Sequence, residues 1–263
     1  MLLLVDAGNT RIKWALMHSA RLGVAELGHW AGYGSVGRED ICLMADALQG
    51  VNISRVLISN VAGEAMRASL ERMVLRAMGM KPVPLTWFAS QAELAGVKNG
   101  YRDPAQLGCD RFAALIGARA LFPGTPLVVA TCGTATTVDA LDADGRFRGG
   151  MILPGLGLMA SSLAQNTAQL PQVPQYNVGE LPFADNTRDA IASGCIAAQA
   201  GAIGRAVAAH AALLQLDAPR MQCLLSGGAA GAIAPHLSGL VRQVDNLVLI
   251  GLQAVLNVTQ SSC

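Results

Sequence analysis

The decapeptide VDAGNTRIKW at residues 5–14 can be laid over ATCGTATTVD at residues 130–139, an offset of 125 that sets Asp6 on Thr131, Gly8 on Gly133 and Asn9 on Thr134. In each copy an apolar strand meets a glycine turn and a second strand leaves it, so the chain is expected to build the same hairpin twice. Around the first copy, Leu2 to Val5, then Ile12, Trp14 and Leu16 alternating with Arg11, Lys13 and Ala15, then residues 24–30 predict an antiparallel meander. Apolar spacing of three and four predicts helices over 38–49 and 64–78, with VLIS at 56–59 a short buried strand between them. Residues 97–107 (VKNGYRDPAQL) read as a loop, and 109–121 as a helix that Phe122-Pro123-Gly124 stops. The meander then returns in PLVVAT, GTATT and VDALDADGRFRGGMI, where Asp144-Gly145 marks a hairpin turn. Helices over 155–169 and 187–214, a strand over 222–226 and a closing helix over 246–258 follow. The simplest account is an α/β chain of two βββαβα halves, residues 1–122 and 123–263.

Composition narrows the class. Of 263 residues 52% are hydrophobic and 14% charged, which excludes disorder and suffices for one large or two fused cores. Nineteen basic residues against 18 acidic, scattered along the chain, argue against a nucleic-acid partner. MLLLV reaches Asp6 too soon for a signal core or a spanning helix, and Gly, Pro, Gln or Thr interrupt the longer uncharged runs. No membrane partner is expected. The six cysteines (Cys42, Cys109, Cys132, Cys195, Cys223 and Cys263) form no CxxC pair, so a reduced, cytoplasmic protein without structural zinc is expected.

Three segments carry chemistry. A strand ending in Asp6, the Gly8-Asn9-Thr10 turn and a returning strand with Lys13 would let phosphate oxygens meet backbone amides, with Asp6 facing a hydrated Mg²⁺. An ordinary hairpin with a solvated lysine accounts for the same residues; the second Gly-Thr turn at 133–134 favours two turns clamping one triphosphate. No GxxxxGK[ST] occurs, which removes the main support for a P-loop fold. Ser226-Gly227-Gly228 is either a nucleotide contact or a plain tight turn. In LGCDRF at 107–112, Asp110 can accept a hydroxyl proton while Arg111 holds an anionic acceptor. A dipole-stabilised aspartate beside a solvated arginine is the plainer alternative.

DAGNTRIK at 6–13, GYRDPAQLGCDR at 100–111, GTATTVD at 133–139, GGMILPG at 149–155 and NTRDAIASG at 186–194 together resemble the type III pantothenate kinases along the whole chain. The resemblance implies transfer of the ATP γ-phosphate to the primary hydroxyl of pantothenate, the first step toward coenzyme A. It also implies the actin-like fold of the acetate and sugar kinase, heat-shock chaperone and actin superfamily, with two ribonuclease H-like halves and a homodimer. Carried over, Asp6, Ala7, Gly8, Asn9, Thr10, Arg11, Ile12 and Lys13 would form the first phosphate loop, and Gly133 and Thr134 would contact ATP from the second. Tyr101, Gly108, Cys109, Asp110 and Arg111 would bind pantothenate, with Asp110 the proton acceptor, and Thr187 would close the pocket. Many relatives have Asp where this chain has Thr131, holding potassium or ammonium near the phosphates, so little dependence on a monovalent cation is expected here. Two other readings stay open: a non-catalytic transcription accessory factor of the same fold, and a kinase of another small alcohol.

Overall fold

A computed structural model describes residues 1–18, 26–173 and 182–261 of the chain. It divides into two compact units, Met1–Gly124 with Gly145–Phe147 and Asn246–Cys263, and Thr125–Asp144 with Arg148–Asp245.

The first unit opens with β1 (Leu2–Ala7), β2 (Arg11–Met17) and β3 (Gly32–Gly37), followed by α1 (Ile41–Ala47), β4 (Arg55–Asn60), α2 (Glu64–Ala77) and β5 (Leu85–Trp87). The sheet runs β3-β2-β1-β4-β5, with β2 antiparallel to β1 and β4 parallel to it. Leu3, Val5, Ile12, Trp14, Val56 and Ile58 point to one face and pack with Met44, Leu48, Met66 and Leu70 of α1 and α2. A small hairpin, β6 (Glu93–Leu94) and β7 (Val97–Lys98), leads to α3 (Cys109–Leu121), which is apolar almost all round because it is covered on both sides. It lies along the closing helix, and the pair covers the other sheet face.

The second unit repeats the order. Strands β8 (Leu127–Cys132), β9 (Ala135–Leu141) and β10 (Phe147–Pro154) precede α4 (Leu156–Asn166), α5 (Thr187–Leu213), β11 (Gln222–Ser226), α6 (Ala230–Ile233) and β12 (Leu240–Gln243), and α7 (Leu247–Ser261) ends the chain. The sheet order is β10-β9-β8-β11-β12. Val128, Ala130, Cys132, Cys223 and Leu225 pack under α4, α5 and α6. Among the described residues α5 is the one helix long and apolar enough, by length and composition, to cross a membrane. Its Ile191, Cys195, Ile196, Ala200 and Ile203 are spent in the core of this unit.

Three differences from the sequence expectations have physical causes. The third strand is not 24–30: residues 19–25 lie outside the described set, 26–28 form a turn, and the strand is GYGSVG at 32–37. Glycines carry no hydrophobic alternation, yet one is needed opposite Trp14, since a Cβ on Gly34 would touch the indole at 2.7 Å. The closing helix, expected with the second half, belongs to the first unit because its apolar side seats on α3. Finally, the ungapped overlay of the two hairpins breaks after the turn. Asp6 pairs with Lys13, whereas Thr131 pairs with Thr137, so the second turn is one residue shorter.

Candidate active site

Residues on β1 alternate between faces, so Asp6 shares the α3 side of the sheet with Leu2 and Leu4 while Val5 and Ala7 enter the other core. Lys13 sits directly across from Asp6 on β2, and Ser59 beside it on β4. These three side chains lie at the carboxyl ends of parallel β1 and β4, the edge where α/β sheets present ligand sites.

The N-terminus of α3 is docked onto that edge. Cys109 Sγ lies 3.4 Å from Ser59 Oγ and donates to the Asn60 carbonyl at 3.6 Å. Burial pushes the Cys109 thiol up, which keeps it protonated and suits packing rather than nucleophilic work. Next to it, Asp110 accepts the Arg111 amide at 2.8 Å. Its carboxyl is raised by desolvation, against the lowering effect of that amide and of the Arg111 charge. Asp6, half-buried, is pushed up to about 7 from 3.8, first by desolvation, next by the charge of Asp110, with Lys13 pulling it back. Two carboxylates and two cations from β1, β2 and α3 therefore form one electrostatic cluster.

Arg111 is buried and donates from Nη1 to the Tyr101 hydroxyl at 3.0 Å. Tyr101 is placed by Asn99, whose Oδ1 accepts the Tyr101 amide at 3.1 Å and whose Nδ2 donates to the Pro104 carbonyl at 3.1 Å. Asp103 caps the short turn that follows by accepting from the Ala105 amide, so the loop over 97–107 is held rather than slack. Gly108 is the residue from which α3 starts.

The other candidate residues divide clearly. Gly8, Asn9, Thr10 and Arg11 form the open tip of the first hairpin, where Arg11 Nε is tied to Ser35 Oγ at 2.8 Å. Ala7 and Ile12 are fully buried core side chains, so only their backbone can meet a ligand. Gly133 and Thr134 are exposed at the second unit's turn, with the Thr134 carbonyl accepting the Gly155 amide at 2.9 Å as α4 begins. Thr136 and Thr137 nearby keep buried hydroxyls without a partner. Thr187 is exposed at the start of α5, on a cavity of about 920 Å³ walled by Leu158, Met159, Leu163 and Ile191. Asp139 is buried in β9. Ser59, Asn60, Asn99 and Phe147, which touches Tyr101, escaped the sequence reading; short polar residues between apolar runs carry no periodic signal, and Phe147 reads only as the start of a strand.

The donor chemistry around Asp6 suits a hard cation. Among the described residues no three His, Cys, Asp or Glu side chains gather as a metal cage. A buried carboxylate whose ionisation a neighbouring carboxylate makes costlier, as Asp110 does for Asp6, is what one divalent ion beside phosphate oxygens would relieve.

The family model described as type III pantothenate kinase matches residues 2–209. The type III pantothenate kinase of Janthinobacterium sp. (strain Marseille) is 62% identical over 256 residues, 97% of each chain. That of Herminiimonas arsenicoxydans is 59% identical over 263 residues, 100% of each chain. Among solved structures, a protein assigned to the Baf family of transcriptional activators from Campylobacter jejuni superposes with TM-score 0.60 at 16% identity, covering 98% of this chain and 99% of that one. A protein assigned as a 2-dehydro-3-deoxygalactonokinase from Sinorhizobium meliloti gives TM-score 0.57 at 14% identity, covering 100% and 99%. These structural likenesses establish the α/β actin-like fold with two ribonuclease H-like halves. With the β1–β2 turn, the α3 start and full-length identity to named kinases in agreement, the chain belongs to the type III pantothenate kinase family.

Proposed function

We propose that the protein transfers the γ-phosphate of ATP to the primary hydroxyl of pantothenate, forming 4'-phosphopantothenate and ADP, as a cytoplasmic homodimer. The observation that carries this is the cluster in the first unit, where the charge of Asp110 on α3 reaches Asp6 on β1 while Lys13 and Arg111 flank the pair. Two carboxylates raised by burial, one of them also by the charge of the other, favour a catalytic site over a non-catalytic regulator.

In this reading the amides of Gly8 to Arg11 and the Lys13 ammonium hold the phosphates, and Gly133 and Thr134 add nucleotide contacts. Asp6 would hold Mg²⁺, which when bound would offset negative charge on the phosphates. Arg111 pairs with the acceptor's carboxylate. The Tyr101 hydroxyl accepts from Arg111 and so has its own proton to give to an acceptor oxygen. Thr187 is assigned to the acceptor as well. Asp110 takes the hydroxyl proton as the new P–O bond forms and the bond to the ADP oxygen breaks. Its raised pKa brings its basicity nearer to working pH, where general-base catalysis is most effective.

Purified protein supplied with ATP, Mg²⁺ and pantothenate is expected to yield phosphopantothenate by mass spectrometry. Asp110→Asn should lower kcat roughly 10² to 10⁴-fold while ATP affinity stays within about twofold. Near-normal turnover by that variant would overturn the assignment of the base, and turnover of a different small alcohol in preference to pantothenate would overturn the acceptor.

A further inference from the structure

Phe147 follows the Asp144-Gly145 hairpin turn and is fully enclosed. The turn is seated on β7: the Lys98 amide donates to the Gly145 carbonyl at 2.9 Å, and Lys98 and Arg146 form a parallel bridge. Gly145 has φ +86, and a Cβ there would run into the Gly96 carbonyl, so only glycine lets the two backbones meet. The turn is thereby held in place, and Phe147 with it.

The Phe147 ring lies 5.4 Å from the Tyr101 ring, tilted by 35°. The Arg111 guanidinium carbon lies 5.7 Å from the Tyr101 centroid and 6.0 Å from the Phe147 centroid. Arg111 is 6% exposed, so its charge has given up most of its water. The negative faces of aromatic rings offset part of that loss and restrict the plane of the guanidinium. A flexible arginine becomes a fixed fork only if something behind it is fixed.

We propose that Phe147 is a positioning residue of the acceptor site: its ring backs Tyr101 and Arg111 together and so sets the geometry in which hydroxyl and guanidinium meet the acceptor. This rests on the assignment of those two residues to pantothenate. Phe147 is fully enclosed and acts through those two side chains.

Phe147→Leu keeps an apolar side chain and removes the ring; Phe147→Met is the second variant should Leu fail to fold, and Phe147→Tyr restores the ring. Leu or Met is expected to raise KM for pantothenate about tenfold, with kcat changed less than about threefold and KM for ATP within about twofold. Tyr should recover most of the loss. A folded Leu or Met variant whose two KM values rise together, or whose kcat falls at unchanged KM, overturns the proposal. The Arg111 Nε–H resonance, assigned by its disappearance in Arg111→Lys, is read by NMR in the same ligand-free variants. It should move, because the ring current of Phe147 is removed, and exchange faster with water, because the cover behind it is lost; an unmoved resonance refutes the platform. If wild-type protein does not phosphorylate pantothenate, the proposed function fails on that measurement, and the resonance alone decides the placement of Arg111.

Discussion

Asp6 shows how a single side chain carries opposed demands of stability and use. Its carboxyl is pushed up to about 7 in the folded chain against an ordinary value of 3.8, so the folded state binds this proton more tightly than the unfolded one. The group therefore stabilises the fold at low pH, and that contribution is lost as pH rises through about 7, the reverse of the usual aspartate. The full shift corresponds to ~4 kcal/mol as an upper bound, less once solvent screens a half-buried group. Asp6→Asn is thus expected to raise the Tm of the ligand-free protein by several degrees at about pH 8 and by less than half as much at about pH 5, while phosphoryl transfer is lost. Calorimetry at both values decides it; an Asn variant no more stable than wild type at the higher pH removes Asp6 as a charge held against its preference.

The two hairpins share an outline but not a charge pattern. In the first, the last strand pair but one before the turn joins Asp6 to Lys13; in the second, the corresponding pair sets Thr131 against Thr137, leaving hydroxyls and no carboxylate. Without a fixed negative charge the second turn offers a monovalent cation little reason to bind. Replacing potassium and ammonium by a bulky organic cation should leave turnover nearly unchanged, and a requirement for either ion would show that neutral oxygens suffice. The turns themselves were legible in the chain because Gly-Asn-Thr and Gly-Thr interrupt strongly alternating strands, and α3 because its apolar period begins just after a Pro and Gly loop. The strand GYGSVG was not, because its glycines bury nothing themselves and one of them, Gly34, admits Trp14. Phe147 was not, because its meeting with Tyr101 joins distant segments through a turn seated on β7, and no local pattern announces a long-range contact. The one-residue slip in register after the second turn was invisible for a similar reason: an ungapped overlay matches residues, while strand pairing matches hydrogen bonds.

Each unit repeats the same five-strand order, and each has a helical layer on its sheet. The second leaves Ile152, Leu158, Leu163 and Phe183 exposed, the last at 91%. The proposed homodimer would cover such residues, and sedimentation is expected to report twice the mass of the chain, with Leu158→Glu shifting it toward a single copy. A single-chain mass at micromolar concentration would exclude the dimer. The closing helix gives the whole molecule a temporal order as well. Gln253 of α7, fully buried, accepts from the Gly28 amide and the Trp30 indole and donates to the Glu26 carbonyl. Because α7 follows the entire second unit in the chain, the first unit's opening strands wait, during synthesis, for a helix made only after the second unit. Until then the nascent first unit presents the bare flank of α3 to the cell, so translation of the second unit is the interval in which the first is least protected.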